Sequence, residues 1–206
     1  RVLYSQLTFA QLEKESDRLA FGLQNIGITS GTRTIIMVPH SIEFFIIVFA
    51  MSKVGAIPVV VDPGMGIDRM LFCLKQGKPR AFIGIEKAHL LRTFKPGFFK
   101  SVKHWVTVGK RWFWGGYTLK ELMIDTNEPF PVVKTTSDEI AAIPFTSGST
   151  GPAKGVVYTH GNFAAQIRQI QDHFHFEPDE VDLPTFPLWA IFFLSVGMTE
   201  VIPDMD

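Results

Sequence analysis

Residues 145–155 read Phe145-Thr146-Ser147-Gly148-Ser149-Thr150-Gly151-Pro152-Ala153-Lys154-Gly155, a polar loop with apolar runs on both sides. It holds four hydroxyl side chains, three glycines and one lysine. Glycine admits positive φ and lets the backbone approach a ligand closely, so successive N–H groups turn inward as an anion-binding nest. Thr146, Ser147, Ser149 and Thr150 add hydroxyl donors, and Lys154 adds a mobile positive charge suited to a polyphosphate. A solvated turn uses the same Ser, Thr and Gly residues but has no need of the lysine. The stretch reads as a phosphate loop.

The spacing excludes the commoner phosphate loops. A Walker A loop requires G-x-x-x-x-G-K-[ST], whereas here Ala153 precedes the lysine and Gly155 follows it. Gly64-Met65-Gly66 does not extend into G-x-G-x-x-G either. The flanks differ too. Ile140 to Phe145 reads as a strand entering the loop and Val156 to Thr159 as a strand leaving it, followed by a helix from Asn162 to about Asp172. A Walker A loop runs straight into a helix instead.

Outward from the loop, strand and helix alternate. Thr8 and Gln11 form a capping box ahead of the amphipathic series Phe9, Leu12, Leu19, Leu23 and Ile26, which closes at Gly27. Arg33 to Val38 is a short buried strand, and Ser41 caps an apolar helix to about Val54. Ala56 to Val61 is a strand ended by Asp62-Pro63-Gly64. Ile67 to about Gln76 reads as helix, Ala81 to Ile85 as strand and Glu86 to Thr93 as helix. This alternation predicts an α/β fold with mostly parallel sheets covered by helices. Residues 95–137 are less regular and end in a connector. The expected division is a first α/β subdomain over 1–137, then 138–206 as the start of a second that carries the phosphate loop.

Composition narrows the function. The 206 residues are 46% hydrophobic, enough to bury a core. Twenty basic and twenty acidic residues cancel, which argues against nucleic acid as the main partner. Cys73 is the only cysteine, so there is no internal disulfide, and it reads as a small buried hydrophobe. The apolar run Phe44 to Met51 falls well short of the ~20 residues of a membrane span, and no signal peptide opens the chain. Nineteen Phe and four Trp suit either a greasy pocket or a well-filled core. The chain opens on Arg1 and stops in a strand-like run into a turn, so it reads as the front portion of a longer enzyme.

At the loop the chain resembles the adenylate-forming superfamily of acyl-CoA synthetases, luciferases and peptide-synthetase adenylation domains. Their signature is close to T-S-G-[ST]-T-G-x-P-K-G followed by a histidine. Thr146 to Gly151 match, Lys154-Gly155 match, and His160 stands in the expected place. The proline falls at Pro152 rather than beside the lysine, which moves a φ constraint by one residue and removes no phosphate ligand. The likeness extends through Phe9 to Arg33, Met51 to Pro63 and Phe186-Pro187-Leu188-Trp189. Within the superfamily the chain is most similar to the branch from bacterial long-chain olefin biosynthesis. The stretches that carry this are VVVDPGMGIDRMLFCLKQGKPRAFIGIEKAHLLR (59–92), FTSGSTGPAKGVVYTHGNFAAQIRQI (145–170), VDLPTFPLWAIF (181–192) and VIPDMD (201–206). Ala190 also stands where ordinary acyl-CoA synthetases carry the histidine of P-L-[FY]-H.

The resemblance implies the N-terminal part of the large domain of an adenylate-forming enzyme, using ATP and Mg²⁺. It implies activation of a 2-alkyl-3-hydroxy fatty acid as acyl-adenylate, then closure to a β-lactone with release of AMP and pyrophosphate. The alternatives are a long-chain acyl-CoA ligase and an inactive nucleotide-binding fragment. Thr146, Ser147, Gly148, Ser149, Thr150, Gly151 and Lys154 would hold the triphosphate, with Lys154 and Thr146 catalytic. Phe186 and Trp189 would line the acyl or adenine pocket, with core packing the other reading. His160 would lie beside the nucleotide or cap the next helix. Val196-Gly197-Met198-Thr199-Glu200 resembles the superfamily's later Y-G-x-T-E motif, whose Glu holds Mg²⁺. It lacks the tyrosine and follows the loop too closely, so Glu200 is left out of the site. The metal ligands, hinge and C-terminal lysine of the superfamily have no counterpart here, so these 206 residues alone are expected to be inactive. The single cysteine fits a reducing, cytoplasmic location, and the resemblance implies a complex with other olefin-pathway enzymes.

Overall fold

The computed structural model describes residues 5–61, 63–146, 153–184 and 190–203. They form two compact units, one of residues 1–135 with 140–158 and the other of 136–139 with 159–206.

The first unit begins with α1 (Phe9–Asn25), started by the expected capping box. The Thr8 hydroxyl accepts from the Gln11 N–H at 3.2 Å, and Gln11 Oε1 accepts from the Thr8 N–H at 2.8 Å. Its Leu12, Leu19 and Leu23 face is buried. Gly27, at φ +88°, lets the chain turn into β1 (Arg33–Met37). Ser41 caps α2 (Ile42–Lys53), which is apolar nearly all round and correspondingly buried. Then come β2 (Ile57–Val61), α3 (Ile67–Gln76), β3 (Ala81–Ile85) and α4 (Glu86–Phe94).

Residues 95–137 carry more structure than their composition suggests. They contain β4 (His104–Val108), β5 (Tyr117–Thr118) and α5 (Leu119–Leu122). A second capping box, Thr118 with Glu121, starts α5. The sheet continues through β6 (Ile140–Thr146) and β7 (Lys154–Gly155), in the order β5-β4-β3-β1-β2-β6-β7. Its pairs are parallel from β5 to β6, and β6–β7 is antiparallel. The core packs Ile35, Val59, Leu71, Leu74 and Phe82 between strands and helices. Strand β6 pairs with β2, Val61 opposite Phe145, so the strand that enters the phosphate loop completes this sheet. The chain leaves the unit through β8 (Tyr158–Thr159), which also pairs with β6, and the strand expected over 156–159 forms only at these two residues.

Charge is also buried here. Lys53 Nζ lies 2.6 Å from Asp17 Oδ1, 2.9 Å from Glu13 Oε1 and 3.1 Å from the Glu13 carbonyl. The Lys53 and Asp17 side chains are each 9% exposed. The pair ties α2 to α1.

The second unit holds α6 (His160–Phe174), β9 (Val181–Asp182), α7 (Ala190–Val196) and β10 (Thr199–Glu200). β9 and β10 pair in parallel. Phe163 of α6 stacks on Phe192 of α7 with ring centroids 5.5 Å apart, and Phe176 meets Phe193 edge-on at 5.3 Å. Among the described residues no helix is long and apolar enough to cross a membrane.

Candidate functional site

Strand β6 carries the chain to the carboxyl edge of a parallel sheet, where ligands of α/β proteins bind. It ends at Thr146, and the chain comes back antiparallel as β7, with Thr146 opposite Lys154 and Phe145 opposite Gly155. The hydroxyl- and glycine-rich stretch is thus the connection of a hairpin whose two base residues are Thr146 and Lys154. Gly155 permits the close return, because a Cβ there would meet the Phe145 ring at 3.1 Å and Ile143 Cγ2 at 3.4 Å. The Val156 N–H then donates to the Pro144 carbonyl at 2.8 Å. Lys154 is exposed on the edge strand, and no carboxylate among the described residues pairs with it.

Ser147, Gly148, Ser149, Thr150 and Gly151 lie outside the described residues, as do Phe186 and Trp189. The structure therefore brings together Thr146 and Lys154 of the expected set. His160 is the first residue of α6, and the cap is the Thr159 hydroxyl, which accepts from the Asn162 N–H at 3.1 Å. The helix-capping role considered for His160 thus belongs to its neighbour. Ala190 is completely buried at the start of α7. Among the described residues no cluster of three or more His, Cys, Asp or Glu side chains is placed to hold a metal ion.

Glu200 has a different surrounding from the phosphate loop. It pairs in register with Asp182 across β9 and β10. Asp182 Oδ2 and both Glu200 carboxyl oxygens are buried without a hydrogen-bond partner among the described residues. Burial, and then the Asp182 carboxylate beside it, push the Glu200 carboxyl up to about 8. A proton held on Glu200 supplies the donor that the pair otherwise lacks. The folded protein holds this proton more tightly than the unfolded chain, where the ordinary value is 4.5. The stabilisation is therefore complete below that value and is lost as pH rises toward about 8. Glu200→Gln removes the titration. Thermal unfolding of the two proteins should coincide in mild acid and diverge in favour of the glutamine variant by pH 9. Parallel pH profiles for the two would show that Glu200 is ionised throughout.

Comparison with known proteins bears on both the fold and the loop. The chain is 46% identical over 201 residues to the olefin beta-lactone synthetase of Xanthomonas campestris pv. campestris, covering 97% of this chain and 36% of that protein. It is 47% identical over 201 residues to the olefin beta-lactone synthetase of Stenotrophomonas maltophilia, with the same coverage. The chain thus spans about a third of the length of these curated relatives. Among solved structures, the N-terminal domain of FACL13 from Mycobacterium tuberculosis superposes with a TM-score of 0.82 at 23% identity, covering 98% of this chain and 52% of that one. That likeness concerns the fold: an α/β architecture with a mainly parallel sheet and helices, as the alternation of elements predicts. The family model described as AMP-binding enzyme matches residues 2–202, and the chain belongs to that family.

Proposed function

We propose that the full-length protein activates a 2-alkyl-3-hydroxy fatty acid with ATP and closes the acyl-adenylate to a β-lactone. The observation that carries the nucleotide half is the hairpin neck, which sets Thr146 opposite Lys154 at the carboxyl edge of the sheet. The similarity to olefin beta-lactone synthetases over nearly the whole chain supports the second half.

The chemistry follows from charge. A carboxylate and a triphosphate repel each other, so attack on the α-phosphorus needs positioning and stabilisation of negative charge. In this reading Ser147, Gly148, Ser149, Thr150 and Gly151 wrap the β- and γ-phosphates with N–H and O–H donors. Thr146 and Lys154 close the neck of the loop, and the lysine offsets charge that builds on the departing pyrophosphate. The carboxylate oxygen bonds to phosphorus as the bond to pyrophosphate breaks. The substrate's 3-hydroxyl then attacks the activated carbonyl carbon. It loses its proton, the bond to AMP breaks, and the four-membered ring is complete. Phe186 and Trp189 would border the acyl chain or adenine. Mg²⁺ has no ligand set among the described residues, and its requirement rests on resemblance.

Mass spectrometry of the products of the full-length protein tests this, with ATP, Mg²⁺ and a 2-alkyl-3-hydroxy fatty acid, with and without CoA. A product lighter than the substrate by one water, formed with AMP and indifferent to CoA, is the expected result. A thioester formed only with CoA would make the protein an acyl-CoA ligase instead. The 206 residues, about a third of the length of these curated relatives, should by themselves release no pyrophosphate.

A further inference from the structure

Residues 87–120 contain eight Lys and Arg and not one Asp or Glu, in a chain whose charges cancel only when this stretch is included. Within this stretch the loop between β4 and β5, Gly109 to Gly116, carries Trp112, Phe113 and Trp114 in succession. Trp114 is buried. Its indole N–H donates to Thr107 Oγ1 at 3.1 Å, and its ring stacks on the buried His89 at 5.3 Å. Trp112 and Phe113 lean on Trp114 from outside, with centroids 5.4 and 5.1 Å away, yet are 54% and 73% exposed.

The loop is held in this shape rather than left to fold back. Gly109 and Gly116 both have positive φ, and a Cβ at either would strike the Glu86 carboxylate or the Trp105 carbonyl. The Lys110 N–H donates to Glu86 Oε1 at 2.7 Å. Arg111 grips the Glu121 carboxylate at 3.0 and 3.2 Å. Arg92 donates to the Gly115 carbonyl at 3.1 Å while its guanidinium covers the Trp105 ring at 4.3 Å. The two acids that bound the stretch, Glu86 and Glu121, are thus turned onto the loop's own backbone and Arg111. Lys110 itself, Lys87 in the first turn of α4 and Lys120 in α5 remain exposed at the same carboxyl edge, with no ion pair among the described residues.

We infer that this loop is a lipid-surface contact, in which Trp112 and Phe113 enter the headgroup region of an anionic bilayer and Lys87, Lys110 and Lys120 face its phosphates. Large aromatic side chains are favoured at the membrane–water boundary, and lysines beside them are drawn to anionic lipid. Two side chains projecting from one tight loop cover far less than the roughly 800 Å² per partner of a stable protein interface. The loop is also separate from the phosphate loop. Its strand β4 lies four strand spacings from β6 in the sheet, about 19 Å at the usual spacing. The inference is therefore independent of which acid is adenylated.

Co-sedimentation of the full-length protein with vesicles of phosphatidylcholine, and of phosphatidylcholine mixed equally with phosphatidylglycerol, tests it. The natural protein should bind the mixed vesicles more tightly than the neutral ones, and salt should weaken that preference. Trp112→Ser/Phe113→Ser should lower binding by at least about tenfold, as expected when two aromatic side chains no longer leave water. Its ATP–pyrophosphate exchange on a soluble acid should be unchanged. Lys87→Gln/Lys110→Gln should remove most of the preference for phosphatidylglycerol. Equal vesicle binding by the natural and Trp112→Ser/Phe113→Ser proteins would overturn the inference, as would no binding by the natural protein. Loss of self-association in that variant with vesicle binding intact would make the loop a protein interface instead.

Discussion

The expected result for Lys154→Ala in the full-length protein is a roughly 10²–10³-fold fall in adenylation rate, the scale of removing one preorganised charge-stabilising donor. The substitution isolates chemistry from folding. Lys154 is exposed on a two-residue edge strand, its ladder partner Thr146 is engaged through backbone, and no described carboxylate depends on it. Such surface changes usually alter stability by no more than about 0.5 kcal/mol. ATP–pyrophosphate exchange is the appropriate readout, since it reports the first half-reaction whatever the acceptor. Lys154→Arg should recover only part of the rate, because a planar fork replaces a compact, rotating ammonium. Normal exchange by the alanine variant would remove Lys154 from the triphosphate site.

The second large effect concerns stability alone. Lys53→Met should cost about 3–5 kcal/mol, because it leaves the Asp17 carboxylate buried without its partner. Lys53→Met with Asp17→Leu should recover most of the loss, since apolar groups of similar volume replace a buried ion pair at little net cost. Urea unfolding of the full-length protein, followed by the transition of the first unit, measures both. A single-variant loss below about 1 kcal/mol would place the pair with ordinary surface ion pairs. The 9% exposure of both side chains predicts otherwise.

Both cases mark the limit of a linear reading. Lys53 and Asp17 are 36 residues apart, and each looks in sequence like a solvated charge on an amphipathic helix. Only the packing of α1 on α2 makes them a buried pair. The stretch 95–137 reads as irregular because β4 takes its order from β3, which it meets in the register Ala81 to His104 through Ile85 to Val108. One local signal was available there. Thr118 and Glu121 have the spacing of a capping box, as do Thr8 and Gln11, although the helix that follows is only four residues long.

The sequence by itself determined the elements whose causes are local. Hydroxyl caps at Thr8 and Ser41, helical periodicity, β-branched runs and the glycine at Gly27 placed α1 to α4 and β1 to β3, and hence the α/β class. It also singled out the phosphate loop, because that chemistry is written in consecutive residues. Tertiary structure decided what depends on pairing between distant segments. It decided that β6 completes the first sheet beside β2, that Lys154 stands opposite Thr146, and that Glu200 shares its burial with Asp182. Strand register and the burial of charge are set by partners far along the chain, and a local pattern carries no record of them.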